Sequence, residues 1–331
     1  MEAGTNRPTD DERLEMHRRM VVTRCLEETL GELHSAGETR GPIHRCDGQE
    51  AVGVGATAAL DLNDFVTTTH RGHAVYIGKG LETGRVVAEI LGRSTGCCSG
   101  RAGHMLVGDV AHGMLGGNAI VGASIPAATG MALSHQVRER EAVAMAVFGD
   151  GAAQTGICHE SMNIAALWKL PLVFLLEHNA YGLTVHHSQQ SSVGDLYVRA
   201  QGYGMSGEQV DGNDAAAVYQ AVATARARAR AGDGPSLIEA VTYRLEGFST
   251  SDIGGYQNPD EIARWRERDP ISVSRTALSD IFGVDRVSET ERTARTEVAD
   301  AFEAAKADPQ PDFVPHAPSD PYRRAGAAGG G

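Results

Sequence analysis

Apolar side chains near the start of the chain recur with the period of an α-helix. Between residues 9 and 37 they stand at positions 14, 21, 25, 26, 30 and 33, a spacing that places them on one face of a helix. Thr9 precedes this pattern, and Glu12 follows Thr9 by three positions, which is the sequence signature of a capping box. The pattern predicts a helix that begins just after Thr9 and ends near Gly37.

A β-α-β rhythm follows later in the chain. Residues 142–148 and 172–176 are continuous apolar runs, typical of strands buried in the middle of a parallel sheet. Helical spacing is found at residues 49–60, 157–167 and 215–230, and further strands are expected at 65–73, running into a basic loop, and at 236–242. Residues 81–131 are rich in glycine and weakly periodic, which indicates functional loops that another group approaches closely.

These elements predict an α/β fold with one doubly wound, mostly parallel sheet and helical extensions at the N- and C-terminal ends. We expect residues 1–8 to be disordered and residues 9–307 to form a single domain. Residues 308–331 are rich in Pro, Ala and Gly and are expected to form a disordered tail.

Composition excludes several function classes. The chain has 331 residues, 41% of them hydrophobic, and a formal charge of -13 without a cluster of Lys and Arg. This balance argues against nucleic acid as a partner. The sequence shows neither an 18-residue apolar run nor a signal-peptide pattern, which argues against a membrane partner. The five cysteines are odd in number and lack zinc spacing, so a reduced, cytoplasmic location is favoured over a disulfide framework.

Two polar residues directly follow consecutive predicted strands. Asp150 lies in a Gly-Asp-Gly turn after the first strand, and Asn179 follows the second. The carboxyl ends of parallel strands meet at one edge of the sheet, where ligands bind. Their oxygen atoms suit Mg²⁺, and Gly151 allows a phosphate to approach the N-terminus of the next helix. The residues alone leave two interpretations open, a shared metal and phosphate site or two ordinary turns.

The stretch from Gly149 to Asn179 resembles the thiamine diphosphate motif. Over residues 11–270 the chain is similar to the alpha subunit of the first component of 2-oxo acid dehydrogenase complexes, which act on pyruvate, branched-chain 2-oxo acids or acetoin. The motifs that carry this resemblance are "HRCDGQEAVGVGA", "THRGHAVYIGKG", "GGNAIVGASIPAATG", "NIAALWKLPLVF", "VDGND" and "LIEAVTYR". "THRGH" is most similar to the acetoin branch. The resemblance implies a fold of the thiamine diphosphate-binding type, with thiamine diphosphate and Mg²⁺ as cofactors.

The resemblance also implies roles for individual residues. The residues that match the family's Mg²⁺ ligands are Asp150, Asn179 and, through its carbonyl oxygen, Tyr181. Those that match its contacts to the organic cofactor are His70 and Arg71 at the diphosphate, Gly151 and Ala152 through backbone N–H groups, Ala119 and Val121 at the aminopyrimidine ring, and Leu183 as the apolar prop of the bent cofactor.

Four positions depart from the family's pattern. His178 and Gln154 each stand where the family has an asparagine, and Leu106 and Phe248 replace two active-site histidines. The two apolar replacements predict a different substrate pocket, in which another histidine takes over proton transfer. The candidates are His73, His104 and His178. The alternative for each is a hydrogen-bonded loop histidine without a catalytic role.

In the family, the glutamate that activates the cofactor belongs to a separate beta subunit. The resemblance therefore implies that this chain is half of an active site in an α₂β₂ heterotetramer. The expected reaction cleaves a C–C bond next to the carbonyl of a small substrate and passes a two-carbon unit to a lipoyl-bearing protein or a carrier protein. Three alternatives stay open: an ordinary pyruvate or acetoin dehydrogenase, a transketolase-like enzyme that feeds a carrier protein in secondary metabolism, and a non-catalytic scaffold subunit.

Overall fold

Helices and strands alternate along most of the chain. A computed structural model describes residues 6–312. Its α-helices are α1 (Asp10–Ser35), α2 (Glu50–Ala58), α3 (His73–Gly78), α4 (Thr83–Ile90), α5 (Ser124–Val137), α6 (Gly156–Leu167), α7 (Ala215–Arg230), α8 (Pro259–Arg266), α9 (Pro270–Phe282) and α10 (Val284–Ala307). Its strands are β1 (Phe65–Thr69), β2 (Met114–Asn118), β3 (Ala144–Gly149), β4 (Leu172–His178), β5 (Tyr181–Gly182), β6 (Val185–His186), β7 (Ser206–Asp211) and β8 (Ser236–Val241).

Six strands form one parallel sheet in the order β2-β1-β3-β4-β8-β7. Its side chains alternate between two cores. Met145 and Val147 pack in the core that contains residues of α1, α2 and α7, whereas Ala146 and Phe148 pack with residues of α5 and α6. Both faces of the sheet are thus covered by helices, which explains why its central strands are continuous apolar runs. The predicted doubly wound α/β fold is confirmed.

The N- and C-terminal helices pack on each other beside the sheet. At the start of α1 the Thr9 hydroxyl accepts a hydrogen bond from the backbone N–H of Glu12, and the Glu12 carboxylate accepts one from the backbone N–H of Thr9 at 2.7 Å. The predicted capping box is therefore confirmed. The buried His17 of α1 contacts Glu291 of α10, with 2.9 Å between Nε2 and Oε1. None of the described helices is both long enough and apolar enough to cross a membrane.

The glycine-rich region 81–131 contains more regular structure than its sequence indicates. Helix α4, strand β2 and helix α5 all lie within or begin in it. Strand β2 reads Met-Leu-Gly-Gly-Asn, which lacks the β-branched residues typical of strands. The other edge strand, β7, was also not predicted, because its mostly exposed and polar residues show no apolar run.

Only part of each chain end belongs to the described residues. Residues 1–5 and 313–331 lie outside the described part. Residues 6–8 have no regular structure. Beyond α10, the carbonyl oxygen of Pro309 accepts a hydrogen bond from the backbone N–H of Ser94 at 3.0 Å, and Arg40 donates one to the Gln310 side chain. These contacts involve Pro309 and Gln310, and the disordered tail stays a prediction.

The strand order reverses between β1 and β3. From β1 the chain crosses to β2 on one side, and from β3 it continues to β4 on the other. In an open parallel sheet this arrangement leaves a crevice at the carboxyl ends of the strands, where ligands bind.

Candidate functional site

A pocket opens at the carboxyl ends of β1, β3 and β4. Its wall includes residues 69–71 after β1, residues 149–152 after β3, and Asn179 and Tyr181–Leu183 after β4. The cavity there has a volume of about 160 Å³ and is partly open to solvent. The pocket lies where the sheet topology places a ligand.

Nine of the ten residues predicted to bind cofactor or metal line this pocket. They are His70, Arg71, Val121, Asp150, Gly151, Ala152, Asn179, Tyr181 and Leu183. The tenth, Ala119, is exposed and does not line it, although its neighbours Asn118 and Ile120 do.

Two guanidinium groups line the pocket, and neither forms an ion pair with a carboxylate of the described residues. Arg71 is 6% exposed and donates a hydrogen bond to the carbonyl oxygen of Phe248 at 3.0 Å. Arg244 donates to the carbonyl oxygens of Tyr181 at 3.3 Å and Leu183 at 2.6 Å. Burial, together with the nearby Arg244, lowers the pKa of Arg71 to about 10. Both buried cations hydrogen-bond only to neutral groups among the described residues, which favours an anionic ligand. The buried Glu177 lines the same pocket and attracts Arg71, so it offsets part of this positive charge. Arg244 was not predicted as a site residue, although it ends the recognised motif "LIEAVTYR".

Oxygen atoms with spare hydrogen-bonding capacity lie in the same wall. Asp150 is 1% exposed, and its Oδ2 has no hydrogen-bond partner among the described residues. Burial raises the pKa of Asp150. The Asn179 amide donates to Oε1 of Gln49 at 2.8 Å, which leaves its Oδ1 with one long contact, 3.4 Å, from the backbone N–H of Tyr181. A buried carboxylate oxygen and an amide oxygen of this kind are ligands that Mg²⁺ accepts.

The turns after β3 and β4 approach each other closely. A Cβ added at Gly151 would lie only 3.3 Å from the Cα of Gly182. In the second turn, Ala180 and Leu183 have positive φ values of 72° and 54°, which is unfavourable for residues with a Cβ. Leu183 is nevertheless 63% exposed. Strain held at an exposed apolar side chain beside a pocket favours a functional role for that residue.

A row of histidines runs from the pocket into the interior. His44, which lines the pocket, lies with its ring centre 4.7 Å from His70 and 5.3 Å from His104. Its Nδ1 is 3.0 Å from Nε2 of His104. Burial lowers the pKa of His44 to about 4 and those of His70 and His104 to about 3, so all three are neutral at pH 7. His44 was not predicted as a site residue, although it opens one of the recognised motifs.

None of the three predicted proton-transfer residues lines the pocket itself. His73 is fully buried, and its Nδ1 lies 2.8 Å from Oε1 of the buried Glu27. His178 Nδ1 lies 2.7 Å from Oε1 of Glu239. His104 contacts the pocket residue His44, and a side-chain atom of His178 lies within 4.8 Å of one of the pocket residue Asp150. His73 and His178 are thus each hydrogen-bonded to a buried carboxylate, and a role for either in proton transfer stays a prediction.

The positions that depart from the family's pattern have different surroundings. Phe248 lines the pocket, and its backbone is held by Arg71. Leu106 is 43% exposed and does not line it. Gln154 stabilises the turn after β3, because its amide donates to the carbonyl oxygen of Asp150 at 3.1 Å and accepts from Arg199 at 2.9 Å.

Comparison with known proteins agrees with this geometry. Residues 17–314 match the family model described as the dehydrogenase E1 component. The alpha subunit of acetoin:2,6-dichlorophenolindophenol oxidoreductase from Bacillus subtilis is 38% identical over 304 residues, which cover 92% of this chain and 91% of that protein. The pyruvate dehydrogenase E1 component subunit alpha of Rhizobium meliloti is 38% identical over 302 residues, with 90% and 87% covered. The somatic mitochondrial form from Homo sapiens is 37% identical over 307 residues, with 92% and 78% covered.

Proposed function

Because the chain belongs to the dehydrogenase E1 component family, whose members use thiamine diphosphate, we propose that it is the alpha subunit of an enzyme that requires both this cofactor and Mg²⁺. The enzyme cleaves a C–C bond next to a carbonyl group and transfers the two-carbon unit to a lipoyl or carrier-protein acceptor. One observation carries the proposal: within the described part of the chain, two buried guanidinium groups without an ion-pair partner share a pocket with a buried carboxylate oxygen that has no hydrogen-bond donor.

The residues present fit the diphosphate and the metal. Arg71 and Arg244 would bind the anionic oxygens, with His70 and the backbone N–H groups of Gly151 and Ala152 beside them. Asp150, Asn179 and the carbonyl oxygen of Tyr181 would bind Mg²⁺, which neutralises the remaining charge. When bound, thiamine diphosphate supplies the electron-accepting centre that this bond cleavage needs, whereas the protein supplies orientation and electrostatics. Leu183, held in its strained turn, and Val121 would support the organic part and exclude water.

We assign proton transfer to His44, with His104 as its positioning residue. The backbone N–H of His44 donates to Nε2 of His104 at 3.3 Å, so this Nε2 is unprotonated. The ring contact of 3.0 Å then requires that Nδ1 of His44 carries a proton and donates it to the same atom. Nε2 of His44 is left as an unprotonated base on a residue that lines the pocket. His73 and His178 would act only indirectly, since carboxylates hold both.

Replacing His104 tests this assignment. His104→Ser removes the acceptor for Nδ1 of His44 and frees its tautomer, so we expect kcat to fall by about tenfold to a hundredfold, below the full effect of general acid–base catalysis. Thiamine diphosphate affinity should stay unchanged. His112→Ser, at a more exposed histidine outside the pocket, is the control. An unchanged kcat and pH profile for His104→Ser would contradict the role of His104.

A beta subunit is proposed to complete the site. Exposed apolar side chains line the pocket. Ile120 is 70% exposed and Val121 is 54% exposed, and Leu183 lines the same pocket. Exposed apolar side chains grouped at a pocket are typical of an interface. The relatives named above are themselves alpha subunits. We expect the chain alone to be inactive and the co-expressed α₂β₂ assembly to turn over. Full activity of the isolated chain would contradict this expectation.

Cofactor binding is the most direct test of the function. Calorimetric titration of the alpha/beta assembly with thiamine diphosphate and Mg²⁺ should give saturable binding that Asp150→Ala abolishes. Asp233→Ala, at an exposed loop carboxylate, should bind normally. No binding by the unsubstituted assembly would favour the scaffold subunit instead, although retention of Asp150, Asn179, His70 and Arg71 in one pocket argues against a scaffold.

The substrate and acceptor are proposed from the pocket wall. Phe248 presents an aromatic side chain where the family has a histidine, which favours a specialised two-carbon transfer to a carrier protein over an ordinary pyruvate or acetoin dehydrogenase. Assays of the assembly with pyruvate or acetoin and with lipoyl-bearing or carrier-protein acceptors would separate these reactions. Efficient transfer from pyruvate to a lipoyl domain would identify an ordinary dehydrogenase.

A further inference from the structure

Asp150, His178 and His187 form a cluster that the proposed cofactor site does not explain. One ligand atom of each lies within 4.8 Å of those of the other two. Gly149 of β3 is the register partner of Glu177 of β4, so the next residues, Asp150 and His178, project from the same face of the sheet. His187 comes from the short 3-10 helix after β6, and its ring centre lies 4.2 Å from that of His178. Three segments therefore converge on one point.

The hydrogen bonds around the cluster determine the tautomers of both histidines. Nδ1 of His178 is 2.7 Å from the Glu239 carboxylate, and Nε2 of His187 is 2.9 Å from the carbonyl oxygen of Gly194. Both partners can only accept, since Glu239 is ionised at neutral pH, so these ring nitrogens carry the protons. Nε2 of His178 and Nδ1 of His187 are the ring nitrogens that these two hydrogen bonds leave free. His187 is 7% exposed, and its Nδ1 has no partner among the described residues.

Asp150 Oδ2 likewise has no hydrogen-bond partner among the described residues. A carboxylate and two imidazole rings thus converge at a point where Asp150 and His187 are buried. A bound cation would satisfy their free atoms. Mg²⁺ held by oxygen ligands accounts for the carboxylate but leaves the imidazole nitrogens unused, because Mg²⁺ prefers oxygen. Imidazole nitrogens instead suit Zn²⁺ and related transition metals.

We propose that Asp150, His178 and His187 form a second divalent metal site, with two imidazole nitrogens and one carboxylate oxygen, which binds Zn²⁺-type ions beside the Mg²⁺ position and shares Asp150 with it. Water or a bound ligand completes the coordination. The hydrogen bond from His178 to Glu239 is the contact by which carboxylates orient metal-binding histidines. This site does not depend on the proposed function, since its ligands all belong to this chain.

Titration of the untagged full-length chain with Co²⁺ tests the site without thiamine diphosphate. After removal of bound metal with EDTA and of the EDTA by dialysis, we expect one Co²⁺ per chain to bind with a visible absorption band of nitrogen-coordinated cobalt. Zn²⁺ should displace it, and an excess of Mg²⁺ should not. Absence of such a band, or displacement by an equal concentration of Mg²⁺, would overturn the proposal.

Substitutions of single histidines test which side chains bind Co²⁺. His187→Gln retains a donor toward Gly194 but loses the nitrogen lone pair, and it should lower the Co²⁺ affinity by at least about tenfold, the loss expected when even a supporting group of a metal site is removed. His178→Asn, the residue that the family carries, should act in the same way and gives a second result if one variant fails to fold. His186→Gln changes the adjacent, 37% exposed side chain and is the matched control. Equal Co²⁺ affinity in His187→Gln and the unsubstituted chain would refute the site. Calorimetry with thiamine diphosphate and Mg²⁺ on the same samples shows separately whether the proposed function holds.

Discussion

Removing the charge of Asp150 should stabilise the cofactor-free chain and abolish cofactor binding. Asp150 is 1% exposed, and its Oδ2 lacks a donor. A buried polar group without a partner costs about 1–3 kcal/mol, and more when it is charged. Asp150→Asn retains the volume and removes the charge, so we expect the free energy of unfolding of the metal-free chain to rise by about 1–3 kcal/mol at neutral pH.

The pH dependence of this gain follows from the raised pKa. Because burial raises the pKa of Asp150 above its unfolded value of 3.8, the folded state binds the proton more tightly than the unfolded state does. The tighter binding of this proton therefore stabilises the folded state fully below pH 3.8, and the stabilisation is lost as the pH rises through the folded pKa of Asp150. The advantage of Asp150→Asn should be largest above that pKa and should shrink as the pH is lowered.

Urea unfolding in EDTA, with and without Mg²⁺ and thiamine diphosphate, measures both effects. A ligand at a hundredfold excess over its Kd stabilises the folded state by about 2.7 kcal/mol. The unsubstituted chain in its alpha/beta assembly should show such a gain, and Asp150→Asn should show none. Asp233→Asn, at an exposed position, should change the unfolding free energy by less than about 0.5 kcal/mol. If Asp150→Asn destabilises the metal-free chain, or retains the cofactor-dependent gain, the reasoning about this carboxylate is wrong.

Three further predictions concern the pocket, the first helix and the core. Arg244→Gln removes a charged donor worth about 1.5–3 kcal/mol and should weaken thiamine diphosphate binding by about tenfold to a hundredfold in calorimetry, whereas Arg264→Gln on α8 should not. Thr9→Ala removes the cap of α1 and should lower the unfolding free energy by about 1 kcal/mol in urea titrations. Phe148→Ala creates a cavity at a fully buried position and should lower it by about 3–5 kcal/mol; a loss below 1 kcal/mol would mean that the surrounding core collapses into the space.

Strong local patterns made much of the fold predictable. The helix at 215–230 was predicted with the bounds that α7 has, and the buried strands β3 and β4 followed from apolar runs. The strands at the sheet edges were not predicted, since β2 and β7 lack such runs and form by pairing with β1 and β8. Pairing between segments distant in sequence therefore overrides weak local preferences there.

Position in the sequence predicted only part of the candidate site. Asp150 and Asn179 were placed at one edge of the sheet because each follows a predicted strand. Arg244 ends the motif "LIEAVTYR" and follows β8, but its place in the pocket depends on β8 lying next to β4. His44 was missed for a similar reason: it lies 26 positions before His70 in the sequence, and only the fold brings the two rings to 4.7 Å.

His178 shows how a tertiary contact decides the chemistry of a residue. From the sequence it was a candidate for proton transfer, which requires a ring that can both gain and lose a proton. In the fold, Glu239 lies 61 positions away but on the neighbouring strand β8, and it holds the proton on Nδ1. A histidine held in this way can bind a metal through its other nitrogen, as carboxylate-oriented metal ligands do. The same contact also orients histidines that act as bases, so the carboxylate alone does not decide between the two roles. The neighbours of His178 distinguish them: strand register places Asp150 beside it, and His187 lies within reach of both, which is why we propose a metal site at this edge of the sheet.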